Sequence, residues 1–327
     1  MQLVVDHIEW VDEIEWKHIV GDCSWATFYE TPEWIKCQDV QNNLHLSGSG
    51  LKLCFNDSKA LLFPLSKKNV LKGFQSQITG VPGGLYGGPL SKDKITVDHL
   101  ILSIEFIKKK YANLDFRINP FLYQSLNSDH DFPMLNSQKF TQAIDLSQSI
   151  SDINQALSSS NIDYDTRYAN KHQVHFEAAH PNDLKSFLGI YQSMIKKWGK
   201  ANIEYTSDFF ETLVSSENCD FWSFYKADIY IGGGIFLKQN YHVSSWLTIV
   251  QADYLKFRPY EFVYHNLINH YKSAGFHWFD FNPSAGLDGV ISFKEKFGTQ
   301  KLSIPEIQQS STFVGISNRL RRNNRNA

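Results

Sequence analysis

Between residues 183 and 198 apolar residues stand at Leu184, Phe187, Leu188, Tyr191, Met194, Ile195 and Trp198. That spacing keeps them on one face of a helix, and it predicts a helix over 183–198 stopped by Gly199. A shorter helix is expected after Ser207, with Asp208 and Glu211 in its first turn. Three apolar, β-prone runs follow at 221–226, 229–238 and 241–250. The two-residue turns Ala227-Asp228 and Gln239-Asn240 separate them, so they predict an antiparallel meander. Pro259 suits a first helical turn and predicts a helix to about 273, with Gly275 as its stop. A strand at 277–282, a helix at 290–297 closed by Gly298, and a strand at 300–304 complete the pattern.

The first half shows a weaker version of the same order. An amphipathic stretch covers 8–20, and Pro32 begins a short helix. Strand-like runs at 51–55 and 60–65 flank the turn signal Asn56-Asp57-Ser58. A glycine-rich segment spans 79–90. A helix at 95–110 ends in a lysine run that suits the negative helix end, and strands are expected at 114–118 and 140–146. The polar, serine-rich segment 147–172 reads as a helical connection capped by Ser147 or Ser149. These elements predict an α+β protein with an internal structural duplication: one domain at 1–146, the connection at 147–172, a second domain at 173–310 and a basic polar tail at 311–327.

Composition narrows the class. The 327 residues are 42% hydrophobic, which excludes a disordered chain. Twenty-four Phe, 15 Tyr and 8 Trp supply a sizeable core and leave aromatics to line a groove. The formal charge of -2 argues against DNA binding. Cys23, Cys37, Cys54 and Cys219 form no C-x-x-C pair, which gives no disulfide framework or cysteine zinc site. The histidine pairs His172/His175 and His265/His270 lack the H-E-x-x-H arrangement, so no metal is expected. No run approaches the roughly 18 apolar residues of a membrane span, and the acidic N-terminus does not read as a signal peptide. A cytoplasmic protein is expected, with peripheral membrane contact left open.

The run AGFHWFDFNPSAGLDGVISFKEKFG, Ala274 to Gly298, resembles the C-terminal signature of the Fem-like acyltransferases. Upstream, LKFRPYEFVYHNLINHYKSAG matches the arginine-proline start of the preceding helix. FYETPEWIKC resembles the family's threonine-proline-x-tryptophan segment, and FPLSKKNVLKGFQSQITGVPGGLYGGPL its proline- and glycine-rich strand pair. The order of these pieces along most of the chain, more than any single one, carries the resemblance. It implies two tandem GNAT-like domains, each a mixed, mostly antiparallel sheet flanked by helices. It also implies transfer of an acyl or aminoacyl group from an activated donor to an amine. The long coiled-coil insertion of some tRNA-using members is absent, since no sustained charged heptads occur.

Aminolysis of a thioester or ester needs a neutral amine, an aligned carbonyl and stabilisation of the developing oxyanion. The sequence offers no G-x-S-x-G elbow and no cysteine beside a plausible base. The resemblance instead points to the pair Phe293-Lys294, with Lys294 contacting a donor phosphate or the oxyanion. Asp280, between Phe279 and Phe281, reads either as a proton acceptor with a raised pKa or as the cap of the loop Asn282-Pro283-Ser284. Asn282 joins the candidates for substrate binding. In GNAT enzymes the loop matching Lys256–Tyr260 holds the pyrophosphate of coenzyme A. Here its usual glycines are missing, and Arg258 is left as a phosphate ligand or a surface arginine. Ser244 and Ser245 lie in the strand that holds the acyl carbonyl in GNAT folds. Gly232-Gly233-Gly234 marks close approach of backbone or ligand.

Trp34, Tyr86 and Trp246 are candidates to line a cleft shared by the two halves. Arg167 and Lys171, four apart on one helical face, are candidates for acceptor phosphates or simply a solvated basic face. Four arginines in the tail from Asn318 can meet RNA or anionic lipid, or nothing. The expectation is a bacterial N-acyltransferase acting on a sugar, nucleotide sugar or cell-envelope precursor, of the kind that serves polysaccharide biosynthesis. No cofactor is permanently bound. Acyl-coenzyme A or the thioester of an acyl carrier protein is the preferred co-substrate, and aminoacyl-tRNA the alternative. A non-catalytic binding module on the same fold is the rival from another class.

Overall fold

The structure, a computed structural model, describes residues 2–41, 47–70, 75–83, 85–126, 138–198 and 205–311. Gly199 and the arginine tail lie outside them. The chain divides into two compact units, Met1–Lys139 with Ser303–Ala327, and Phe140–Leu302.

In the first unit β1 (Val5–Val11) and α1 (Glu13–Asp22) occupy the stretch read as one amphipathic segment. The break is chemical: the Asp12 carboxylate accepts from Glu15 N at 2.8 Å and starts the helix. A 3-10 turn at Phe28–Glu30 leads to α2 (Pro32–Asp39). Then come β2 (Ser47–Phe55), β3 (Ala60–Val70), β4 (Gln75–Thr79), α3 (Val97–Lys110), β5 (Leu114–Arg117) and α4 (Pro120–Ser125). The second unit contains β6 (Phe140–Asp145), α5 (Ile150–Ser159), α6 (Ile162–Lys171), β7 (Val174–Ala178), α7 (Asp183–Trp198) and α8 (Ser207–Val214). The meander β8 (Cys219–Lys226), β9 (Ile229–Gln239) and β10 (His242–Val250) follows, then a 3-10 segment at Ala252–Phe257 and α9 (Pro259–Ser273). The last elements among the described residues are β11 (Trp278–Asp280), α10 (Asp288–Glu295), β12 (Gln300–Ser303) and β13 (Glu306–Gln309).

The two sheets repeat one plan. The first runs β1-β2-β3-β4-β5-β13 and the second β12-β6-β11-β10-β9-β8-β7. Each has four antiparallel strands in succession. In each the fourth lies parallel to the fifth, β4 to β5 and β10 to β11, across a helical crossover. That fifth strand then pairs antiparallel with a strand from elsewhere in the chain, β13 or β6. The duplication expected from the sequence is thus present in the topology.

The unit boundary departs from the sequence reading. The strand at 140–146 was expected to close the first half, but β6 joins the second sheet, where buried Ile144 sits opposite buried Phe279. The segment beyond 303 was expected in the second domain. It returns to the first sheet as β13, where Ile307 faces Phe116 and Glu306 pairs with Arg117 at 2.9 Å.

The aromatic surplus is mostly core. In the second unit Phe236, Tyr264, Tyr271, Phe279, Phe281 and Phe297 belong to one buried cluster. A side chain on Gly232 would strike the Ile249 carbonyl, and one on Gly233 the rings of Phe187 and Phe221. The glycine run therefore serves close packing of the sheet. In the first unit Trp34 and Tyr86 are both fully buried around Tyr29, and Trp34 Nε1 donates to the Pro82 carbonyl at 3.2 Å. Neither offers a face to a ligand, because both rings fill the core.

Glu30, fully buried, joins three segments of the first unit. Its carboxylate accepts from the Thr27 N–H at 2.7 Å, from the Gly88 N–H and from Asn119 Nδ2 at 3.0 Å. Burial pushes the carboxyl up to about 7, against the pull of these donors. The folded first unit therefore holds this proton more tightly than the unfolded chain, and the associated stability falls as pH rises from about 4.5 to about 7. Urea denaturation should show this decline and its loss in Glu30→Gln. Glu30→Ala, which strands buried donors, should cost about 1–3 kcal/mol for each one left unpaired.

Candidate active site at the parting of two strands

β10 and β11 run parallel only from His242/Trp278 to Ser244/Asp280. Beyond that point β11 stays with β6, and the Phe281 N–H donates to the Gln142 carbonyl at 2.9 Å. β10 instead continues along β9 to Val250, with an extra residue, Trp246, between the paired positions Ser245 and Leu247. The strands part, and Asn282 occupies the apex. Its left-handed backbone, φ 62°, is one that asparagine tolerates. Asn282 Nδ2 donates to the Ser245 carbonyl at 2.9 Å, and Oδ1 accepts from Ser244 Oγ at 2.9 Å. The side-chain amide thus takes over the role of the departed strand. Further along, the Ser245 hydroxyl lies 3.0 Å from the Tyr264 hydroxyl.

Asp280 supports the apex from behind. It is fully buried; one oxygen accepts from Thr141 Oγ1 and from the Asn282 N–H, the latter at 2.9 Å, and the other lies 3.7 Å from His242 Nε2. Of the two roles weighed for it, the geometry is that of the loop cap: its oxygens are engaged and shielded from solvent. Gln142 completes the support, accepting from Ser284 Oγ at 3.1 Å and donating to the Ile291 carbonyl at 3.1 Å.

Lys294 comes from α10 and is 7% exposed. Its ammonium donates to the Asn282 carbonyl at 2.6 Å. Burial brings the amine down to about 8, while the nearby Asp280 carboxylate acts in the opposite direction. Near neutral pH this is a desolvated cation able to stabilise an oxyanion; above about pH 8 it is a neutral amine able to accept a proton. Phe293, half-buried, stands 6.1 Å from the rings of Tyr260 and Tyr264 and flanks the lysine.

Ser244, Ser245, Asp280, Asn282, Phe293 and Lys294 therefore come together. Other candidates do not join them. Trp246 packs on Tyr205, Phe209 and Phe210. Arg167 and Lys171 are exposed on α6. Arg258 stands at the start of α9 in a left-handed conformation, with Nε 3.5 Å from the Asp165 carboxylate. Next to it Glu261 is buried in the first turn of α9, against its own backbone N–H; burial raises its carboxyl, and the Asp165 charge adds to that. Two cavities, of about 660 Å3 beside Asp220, Trp222 and His270 and about 600 Å3 beside Trp10, Lys67 and Lys110, lie away from the parting. Thr141, Gln142, Tyr264 and Glu261 were not anticipated. The first two sit 139 or more residues upstream of what they hold, and nothing in their local sequence marks them.

A family model described as "Acetyltransferase (GNAT) domain" matches residues 159–294, which include every residue of the parting except those of β6. No curated protein matches the chain. Among solved structures, FemX is similar with a TM-score of 0.67 at 11% identity, over 95% of this chain and 99% of that one. The C-terminal domain (DUF2156) of a protein assigned as a lysylphosphatidylglycerol synthetase from Agrobacterium fabrum gives 0.53 at 13% identity, over 93% of each chain. A conserved protein of unknown function from Bacteroides thetaiotaomicron gives 0.52 at 10%, over 92% of this chain and 98% of that one. Residues 159–294 thus match a GNAT acetyltransferase domain, and the chain as a whole shares the fold of FemX. Among the described residues no helix is long and apolar enough to cross a membrane.

The lysine gives a signed pH test. Its folded value, about 8, lies below the 10.5 of an exposed lysine, so between these limits the unfolded chain binds more protons. Stability associated with Lys294 should rise as pH climbs through that window. Urea titrations across it should show the rise in the wild type and lose it in Lys294→Met.

Proposed function

We propose that the protein transfers an acyl group from an activated carbonyl donor to an amine, with the donor carbonyl lying along β10 in the gap left by β11. The observation that carries this reading is the parting itself, with the buried Lys294 at its apex. Past Ser245 β10 runs on without β11 beside it, and a donor's polar chain would lie along that edge. An acceptor amine attacks the carbonyl, and a carbon–nitrogen bond forms. The bond to the carrier's sulfur or oxygen breaks, and the amine's proton leaves with the carrier or to water. The Lys294 ammonium meets the negative charge that develops on the carbonyl oxygen. Asp280 and Asn282 act through position, holding the apex rigid.

The acceptor class we favour is an amine of a sugar, nucleotide sugar or cell-envelope precursor, acylated in a bacterial cytoplasm. A thioester donor fits the GNAT domain. The start of α9 bears on which thioester, because Asp165 already engages Arg258, the cation a coenzyme A pyrophosphate would meet there, and the buried Glu261 carboxyl occupies the first turn. That arrangement favours a donor presented by a carrier, either an acyl carrier thioester or aminoacyl-tRNA, over coenzyme A bound at this helix.

The test is product analysis by mass spectrometry, offering acyl-coenzyme A, acyl carrier thioester and aminoacyl-tRNA with a panel of amino sugars and envelope precursors. Transfer should occur with a carrier-borne donor, and Lys294→Ala should lower kcat by about 100- to 1,000-fold. Normal turnover by Lys294→Ala would remove the lysine from the mechanism. Ligand binding without transfer from any donor would make the protein a binding module instead.

A further inference from the structure

On the edge strand of the first unit His7 and Glu9 are two residues apart, so their side chains share a face of β1. Cys54 of β2 is the direct cross-strand partner of His7. Ligand atoms of all three lie within 4.8 Å of one another, and Cys54 Sγ is 3.7 Å from Glu9 Oε1. Two ligands at i and i+2 with a third across the ladder can close on one ion without any change of backbone.

Two further contacts bear on the cluster. Asp6 holds His7 Nδ1 at 3.0 Å, the outer carboxylate contact that orients metal-binding imidazoles. Lys52 lies 2.6 Å from Glu9, but also 2.6 Å from Glu15. Release of Glu9 to a metal therefore leaves Lys52 paired. His7 and Glu9 are exposed and open to an incoming ion, and Cys54 is half-buried beneath them.

We propose that His7, Glu9 and Cys54 form a zinc site that clamps β1 to β2. Thiolate, imidazole and carboxylate are the donor set of four-coordinate zinc with water in the remaining position. On binding, the Cys54 thiol gives its proton to solvent and its sulfur bonds the metal. The site lies apart from the acyl-transfer machinery in sequence and in unit, so it stands or falls independently of that reading.

The test uses full-length protein and Co2+ as a spectroscopic substitute for Zn2+. One Co2+ per chain should bind with a thiolate-to-metal absorption band and be displaced by Zn2+. The band should vanish in Cys54→Ser and persist in Cys219→Ser. His7→Gln, a change at an exposed side chain that leaves the fold intact even if Cys54→Ser does not, should weaken Zn2+ binding by about tenfold or more. Absence of the band at saturating Co2+, its survival in Cys54→Ser, or unchanged Zn2+ affinity in His7→Gln would each overturn the proposal.

Discussion

The second unit is organised around one substitution of partners: where β11 leaves β10, the side-chain amide of Asn282 takes its place. A carbonyl and a hydroxyl are buried at that point, and proteins pair such groups. Asn282 answers both, and its backbone is held in a left-handed turn by Asp280, itself held by Thr141. The Asn282 carbonyl then receives Lys294. A strand junction, a loop conformation and the placement of a cation are thus one continuous hydrogen-bonded chain. Such buried networks are firm when every member is satisfied.

The junction also accounts for the lysine's chemistry. Lys294 stands next in sequence to Phe293, which packs on Phe297 and Tyr264; its buried ammonium loses most of its water, and one backbone carbonyl does not replace it. The amine therefore sits close to losing its proton near physiological pH. A charge kept out of water acts more strongly on a developing oxyanion than one in solution. The same aromatic residues form the core of the unit, so the site is an extension of the core rather than a loop laid over it.

Much of the second unit was legible because local signals coincided there. Proline at helix starts, glycine at helix ends and two-residue turns marked α9 and the β8–β10 meander nearly to their bounds. Lys294 was singled out through the Fem-like signature, and the serine pair through the GNAT strand that the resemblance implies. What escaped was non-local. Nothing around Phe140 says that its strand inserts beside β11, because the choice rests on Ile144 meeting Phe279 across 135 residues of chain. Trp34 and Tyr86 looked like groove residues because composition cannot separate a buried aromatic from a lining one. Asp280 carried two readings until its contacts showed both oxygens turned inward. The His7–Cys54 arrangement was hidden for the same reason, since strand register, rather than spacing in sequence, makes those residues neighbours.

The central claim is that the parting of β10 and β11 delivers a desolvated, readily deprotonated lysine to a reacting carbonyl. The most direct measurement is an NMR titration of isotopically labelled lysine side chains in the intact protein, with Lys294→Arg to assign the resonance. The account predicts that Lys294 titrates near pH 8. A midpoint for Lys294 in the ordinary lysine range, about 10.4, would contradict it.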